Sequence, residues 1–186
     1  MTRLPLLSVD QAPAEVQPAL EQAVKGSGFL SNLLALLSNA PVALQAYQDM
    51  SALNAKASLS LKEREIVQLV AGTIHGCKFC VAGHTALATN KAKLDAADIE
   101  ALRDKRYGDI AEPKLRALAL FTEQVILTRA YVTDEVLADF YAAEYGPQQA
   151  LEVIVGVGLA TICNFANNLA HTPLNAQLEA YQWHTN

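Results

Sequence analysis

The chain has 186 residues, 52% of them hydrophobic and 18% charged, with a net charge of −5 at pH 7. That length suits one compact domain, with two small ones as the alternative. The acidic balance, and basic residues whose short Arg103–Arg106 cluster is broken by Asp104, exclude a nucleic-acid-binding stripe.

So apolar a composition implies either a large core or surface covered by another subunit, because monomers rarely expose large apolar patches. A homo-oligomer is expected. Met1–Ser8 carries one basic residue and a Pro-interrupted apolar run, too short for a signal peptide. With three cysteines and no disulfide framework, the chain is expected to be cytoplasmic.

Helical period runs along the whole sequence, and no segment sustains strand alternation. A first helix is predicted over Pro13–Val24, closed by Gly26 and Gly28, followed by a short apolar stretch, Phe29–Leu37. Pro41 opens a helix through Tyr47 to about Lys56, since proline is tolerated in a first turn. Ser60-Leu61-Lys62-Glu63 is a capping-box pattern. The helix it starts carries Ile66, Leu69, Val70 and Thr73-Ile74 on one face and should break at Gly76.

The next helix runs from about Cys77 to Thr89, ending at Asn90. Ala96–Arg103 follows, capped by Asp95, then Pro113–Thr128, then Asp134–Ala143 after Thr133. Gly146-Pro147 starts a last long helix that ends before Pro173. Its Val153–Ala170 stretch holds Asn164, Asn167 and Asn168 and reads as a buried helix, with no membrane association. The fold class is all-α.

Chemistry concentrates in Glu65–His84. Cys77 and Cys80 have C-x-x-C spacing, His84 lies four residues past Cys80 on the same helix face, and Glu65 lies upstream. On one straight helix Glu65 and Cys77 would be ~18 Å apart. A reversal at His75-Gly76 would instead bring Glu65 and His84 together across an antiparallel hairpin. His84 could then take the Cys80 proton, with Glu65 holding its other ring nitrogen, the nucleophile–base–orienter arrangement applied to a thiol. The helix N-terminus favours thiolate at both cysteines. Cys77, nearest the exposed end, would condense with a Cys80 sulfenic acid to give the disulfide.

Other readings stand beside this one. A zinc site would take Cys77, Cys80 and His84, with Cys163 or His75 as fourth ligand. Glu65 could be a surface carboxylate in the polar Lys62–Arg64 turn. Cys163 reads as a small core residue. The Asn164, Asn167 and Asn168 amides read as packing, with lining of an interface or pocket as the alternative. His171 and His184 read as structural or solvated, Tyr141 and Tyr145 as helix-face packing, and Trp183 as a tail anchor.

The pattern E-x11-C-x-x-C-x-x-x-H, after a helix that starts Leu59-Ser60-Leu61-Lys62-Glu63-Arg64-Glu65, resembles the AhpD-like alkylhydroperoxidase group of the carboxymuconolactone decarboxylase superfamily. Phe29-Leu30-Ser31-Asn32 through Asn39-Ala40-Pro41, and Asn164-Phe165-Ala166-Asn167-Asn168, are similar to its peroxidase-related branch. The resemblance implies a single AhpD-like helical domain over 1–186: an N-terminal extension (1–58), a catalytic core with the hairpin (59–130) and C-terminal helices (131–186). It also implies reduction of organic hydroperoxides, with Cys80 as nucleophile and Cys77 as disulfide partner and point of exchange with the reductant. Glu65 and His84 would form the proton relay.

The implied reductant is a lipoylated protein or another dithiol carrier, the implied assembly a trimer or hexamer, and no metal or flavin is implied. Phe79 stands where the best-characterised members carry a second histidine, for which His75 is a partial substitute. Alternative functions are a carboxymuconolactone-decarboxylase-like enzyme with His84 as general base, and a non-catalytic redox-sensing helical assembly.

Overall fold

Pro18 decides where the first helix begins. An interior proline would remove a ladder bond and clash with the preceding turn. The helix therefore starts at Gln17, not at Pro13 as the periodicity predicts, and Pro18 falls in its first turn. In this computed structural model, which describes residues 2–184, α1 spans Gln17–Ser27. Gly26 lies inside it. Gly28 ends it with φ +82°, its N–H donating to Val24 O at 2.8 Å.

The remaining α-helices among the described residues are α2 (Asn32–Leu37), α3 (Pro41–Asn54), α4 (Leu61–Ile74), α5 (Lys78–Leu87), α6 (Ala96–Arg103), α7 (Pro113–Thr128), α8 (Asp134–Ala142) and α9 (Pro147–Ala170). A wide helical turn covers Ala88–Ala92, and 3₁₀ turns cover Tyr107–Asp109 and Ala176–Tyr181. No strand forms among the described residues, so the fold is all-α. Ser31 caps α2 and Thr133 caps α8 through their hydroxyls, whereas Asp95 makes no side-chain cap to α6.

The Ser60 capping box is complete. Glu63 N–H donates to Ser60 Oγ at 3.3 Å, and Ser60 N–H donates to Glu63 Oε2 at 2.7 Å. It starts α4, in which every residue from Glu65 to Thr73 is buried, well beyond the single face that the periodicity shows. A helix enclosed all round is a core element. α4 packs against α5, α6, α7 and α9.

Two glycines allow that crowding. A Cβ added at Gly72 would lie 3.1 Å from Val81 Cγ2 of α5, and one at Gly156 of α9 would lie 2.9 Å from Val67 Cγ1. Gln68 Nε2 also donates to Gly156 O at 2.9 Å, tying α4 to α9.

The apolar interior has two parts. One gathers Ile66, Leu69 and Val70 of α4 with residues of α6 to α8, including Phe140 stacked between Phe121 and Tyr145. The other joins Val16, Leu20, Leu33, Leu37 and Leu44 to Cys77, Phe79, Cys80, Leu159 and Cys163. The cysteine pair thus lies beneath the N-terminal helices.

α9 differs from its predicted burial. Only one face is enclosed, through Val153, Gly156, Leu159, Ala160, Cys163, Asn164, Asn167 and Ala170. Leu151, Ile154, Val155, Phe165 and Leu169 stay exposed along the opposite stripe. The helix is long and apolar enough by composition to cross a bilayer, with a third of its most apolar window buried. Its inner face packs on α2, α3, α4, α5 and α7.

Candidate active site

The chain turns at Gly76 with φ +69°, a conformation that costs glycine little. Cys77 N–H donates to Gly72 O at 2.9 Å and Gly76 N–H to Thr73 O at 3.4 Å, which closes α4 in a Schellman arrangement. Three residues therefore separate α4 from α5, and α5 folds back along α4. Glu65 Oε2 and His84 Nδ1 meet at 2.8 Å, with the carboxylate buried and the imidazole a quarter exposed. An ionised carboxylate only accepts, so Nδ1–H donates to it and Nε2 is left as the free ring nitrogen.

Cys77 occupies the N-cap of α5, where its sulfur accepts the Cys80 N–H at 3.2 Å. The two sulfurs lie 2.7 Å apart, joined by an S–H···S hydrogen bond, and both are free thiols. Contrary to its expected exposure, Cys77 is fully enclosed, whereas Cys80 keeps 5%. The N-cap conformation turns the Cys77 side chain inward, over the first turn of α5.

The pair is electrostatically unequal. The hydrogen bond with Cys80 holds the Cys77 thiol below its ordinary value, against burial, and the Cys80 and Phe79 amides and Asn167 add to it. Cys80 is pushed well up by the hydrogen bond to Cys77, by burial and by the charge on Cys77. Of the two thiols Cys77 is therefore the first to ionise and Cys80 the one that keeps its proton longer, whereas the helix N-terminus alone favours thiolate at both.

Cys80 and His84 line one cavity of ≈ 220 Å³, whose other walls are mainly Leu33, Tyr47, Phe79, Leu87, Leu159, Cys163 and Leu178. Among the described residues no hydrogen bond joins the imidazole to either sulfur; His84 and Cys80 share the cavity as lining residues. Burial also raises Tyr47, and it raises Cys163 to about 12, so both stay protonated at neutral pH. Cys77 lines a separate, more polar cavity of ≈ 530 Å³ with Lys78, Asn167, Asn168, His171 and Thr172. Phe79 borders both.

The remaining candidates fall elsewhere. His75 is not within the relay, because Asn164 Nδ2 bonds its Nδ1 at 3.0 Å and Phe165 packs edge-on at 5.0 Å. Asn168 Nδ2 donates to its carbonyl at 2.8 Å, so His75 anchors the turn to α9, and burial lowers its pKa. The zinc set does not assemble: among the described residues, no three His, Cys, Asp or Glu side chains are grouped to hold an ion.

Asn167 carries more than packing, because its Nδ2 donates to Cys80 Sγ at 3.3 Å. Spacing gave a hint of this, since Asn167 follows Cys163 by four residues in an otherwise apolar helix. Tyr47 and Leu178 had no such signal.

Residues 41–124 match the profile of the carboxymuconolactone decarboxylase family. The likeness in fold runs over nearly the whole chain. A peroxidase-related protein with an alkylhydroperoxidase AhpD core from Ralstonia eutropha JMP134 superposes with a TM-score of 0.86 at 18% identity, covering 95% of this chain and 94% of that one. A peroxidase-related protein from Silicibacter sp. TM1040 gives 0.82 at 18% identity, over 98% and 97%. A variant of the debrominase Bmp8, solved in complex with 2,3,4-tribromopyrrole, gives 0.79 at 16% identity, over 97% and 96%. No curated protein matches the chain in sequence.

The matched segment supplies Glu65, Cys77, Cys80 and His84, together with Tyr47 and Phe79. The flanking residues supply the rest of the walls: Ser31 and Leu33 before it, and Leu159, Cys163 and Leu178 after it. Asn32 N–H donates to Asn175 Oδ1 at 2.9 Å and Asn32 Nδ2 to Pro173 O at 3.0 Å, while Asn175 Nδ2 donates to Leu30 O at 3.1 Å. These bonds clasp the two flanks over the cavity.

Proposed function

We propose that this protein is a thiol-dependent peroxidase that reduces organic hydroperoxides through the Cys77–Cys80 pair. The carrying observation is that Cys80 and the Glu65-bound imidazole of His84 line one apolar cavity, with the Cys77 sulfur 2.7 Å from that of Cys80 and the more acidic of the two. His84 takes the proton of Cys80, and Glu65 stabilises the imidazolium. The Cys80 thiolate attacks the terminal peroxide oxygen. An S–O bond forms as the O–O bond breaks, and the alkoxide leaves with its electron pair and takes the proton from His84.

Cys80 is now a sulfenic acid. The Cys77 thiolate attacks its sulfur, the S–S bond forms, and hydroxide departs to become water with a solvent proton. A dithiol carrier or lipoylated protein restores both thiols by exchange at Cys77, which borders its own cavity. A reducing, cytoplasmic compartment suits that resting state. With this reading goes a homo-oligomer, trimeric or hexameric, in which a second copy covers the exposed stripe of α9.

The test is a count of free thiols before and after one equivalent of cumene hydroperoxide. Two thiols should be lost in the wild type, while Cys80→Ser and His84→Ala should leave theirs unoxidised over the same interval. Unchanged wild-type thiols would overturn the peroxidase.

A second reading is favoured by the largely hydrocarbon and aromatic walls of the cavity, which suit a halogenated heteroaromatic such as the tribromopyrrole bound by Bmp8. Two thiols and one carbon–bromine bond would give disulfide, a carbon–hydrogen bond and hydrogen bromide. Bromide release from 2,3,4-tribromopyrrole, matched to thiol loss, would decide for it.

A further inference from the structure

Asn167 is buried, with 3% exposure, and its amide is used at one end only. Nδ2 donates to Cys80 Sγ at 3.3 Å, while Oδ1 is enclosed and has no hydrogen-bond partner among the described residues. A buried acceptor without a donor is costly, and folded proteins keep few of them. The amide is planar and one carbon joins its two ends, so Oδ1 is held beside the sulfur that Nδ2 faces.

The hydroperoxide cycle creates a hydrogen at that place. When the Cys80 thiolate takes the terminal oxygen of the peroxide, that oxygen keeps its own hydrogen, and the sulfur becomes S–O–H. Before that step the sulfur is an anion, 2.7 Å from the Cys77 sulfur, and needs a donor. After it, the sulfenic acid is itself a donor and needs an acceptor. One amide offers both.

We propose that Asn167 is a catalytic residue that serves Cys80 in both states, Nδ2–H donating to the thiolate and Oδ1 accepting from the sulfenic acid hydroxyl. The second contact holds the oxygen away from Cys77 and leaves the sulfur open for the S–S bond. This role rests on the peroxidase reading, yet both halves can be measured without turnover. His84 and Glu65 act on the proton of the leaving alkoxide, whereas Asn167 acts on the sulfur and the oxygen that stays.

The experiment uses the full chain in a Cys77→Ser, Cys163→Ala background, where Cys80 is the one thiol left to titrate and its sulfenic acid has no second thiol to meet. The thiolate midpoint is read from absorbance at 240 nm. Sulfenic acid is made with excess hydrogen peroxide, and its lifetime is read by trapping with dimedone. Asn167→Leu should raise the midpoint by about one pH unit and shorten the lifetime about tenfold, as expected for the loss of one charge-assisted and one neutral hydrogen bond.

Asn167→Asp should raise the midpoint at least as far, because it replaces the donor by a negative acceptor, yet keep a lifetime within about twofold of the parent. General damage to packing would move both readouts together. If Asn167→Asp shortens the lifetime as much as Asn167→Leu, or if neither variant moves the midpoint, the proposal fails. Failure of wild-type thiols to respond to cumene hydroperoxide would remove the peroxidase and leave these two measurements standing.

Discussion

Cys77 and Cys80 share one proton unequally, and that asymmetry can be measured directly. Because the bond with Cys80 leads the lowering of Cys77, absorbance at 240 nm should show one thiolate forming below the ordinary thiol range of about 8.5 and the second staying protonated well above it. Thiolate-dependent alkylation should therefore rise as pH climbs through the lowered Cys77 value and level off before neutral thiols ionise. Cys80→Ser should move Cys77 back up, since its principal partner is gone. Glu65→Gln should keep the fold and slow cumene hydroperoxide reduction by about a hundredfold, because the imidazole loses the carboxylate that orients it. That Glu65 would meet His84, and Cys77 would meet Cys80, was legible as spacing. Asn167 was legible only as an amide out of place, since what it touches lies 87 residues away and is set by the docking of α9 on α5.

At the scale of elements, proline and glycine positions carry most of the structure. Capping signals at Ser60 and Thr133 and first-turn prolines at Pro41, Pro113 and Pro147 mark helix starts that periodicity alone leaves open. Pro18 is a signal of the same kind, and it outweighs the apolar pattern that extends the first helix back to Pro13. Gly76→Ala should cost about 1 kcal/mol in chemical denaturation, because its φ of +69° is unfavourable for a side chain. Gly156→Ala sets two effects against each other. Alanine gains about 1 kcal/mol in helix propensity. Its methyl meets Val67 at 2.9 Å, though, and overpacking of that kind costs 1–3 kcal/mol. The clash should win, because α4 is enclosed on every side, and the midpoint of thermal unfolding should fall. What sequence did not show is which helix is central: α4 and α9 have similar apolar content, yet one is enclosed and the other half exposed.

For the whole molecule, the outer stripe of α9 is the feature that composition anticipated. Leu151, Ile154, Val155, Phe165 and Leu169 recur at helical spacing on one side and stay open to solvent. Sedimentation velocity should show an assembly of several copies, and Leu151→Glu with Leu169→Glu should reduce it to single chains with helical content intact. A wild-type monomer at micromolar concentration would overturn the homo-oligomer. The overall fold class was readable from a period that never changes to alternation. The way the N-terminal helices roof the dithiol was not, because it depends on contacts between segments more than a hundred residues apart.

The Asn32–Asn175 clasp also sets an order in time. Leu178, the last wall of the smaller cavity, is made well after the cysteines have left the ribosome, and so is the asparagine that fastens the flanks. During synthesis the dithiol therefore passes through a stage in which α4 and α5 can fold but the C-terminal walls of the cavity, from Leu159 to Leu178, are still missing. The sulfurs are most open to oxidation in that interval, until the turn that carries Leu178 closes the cavity.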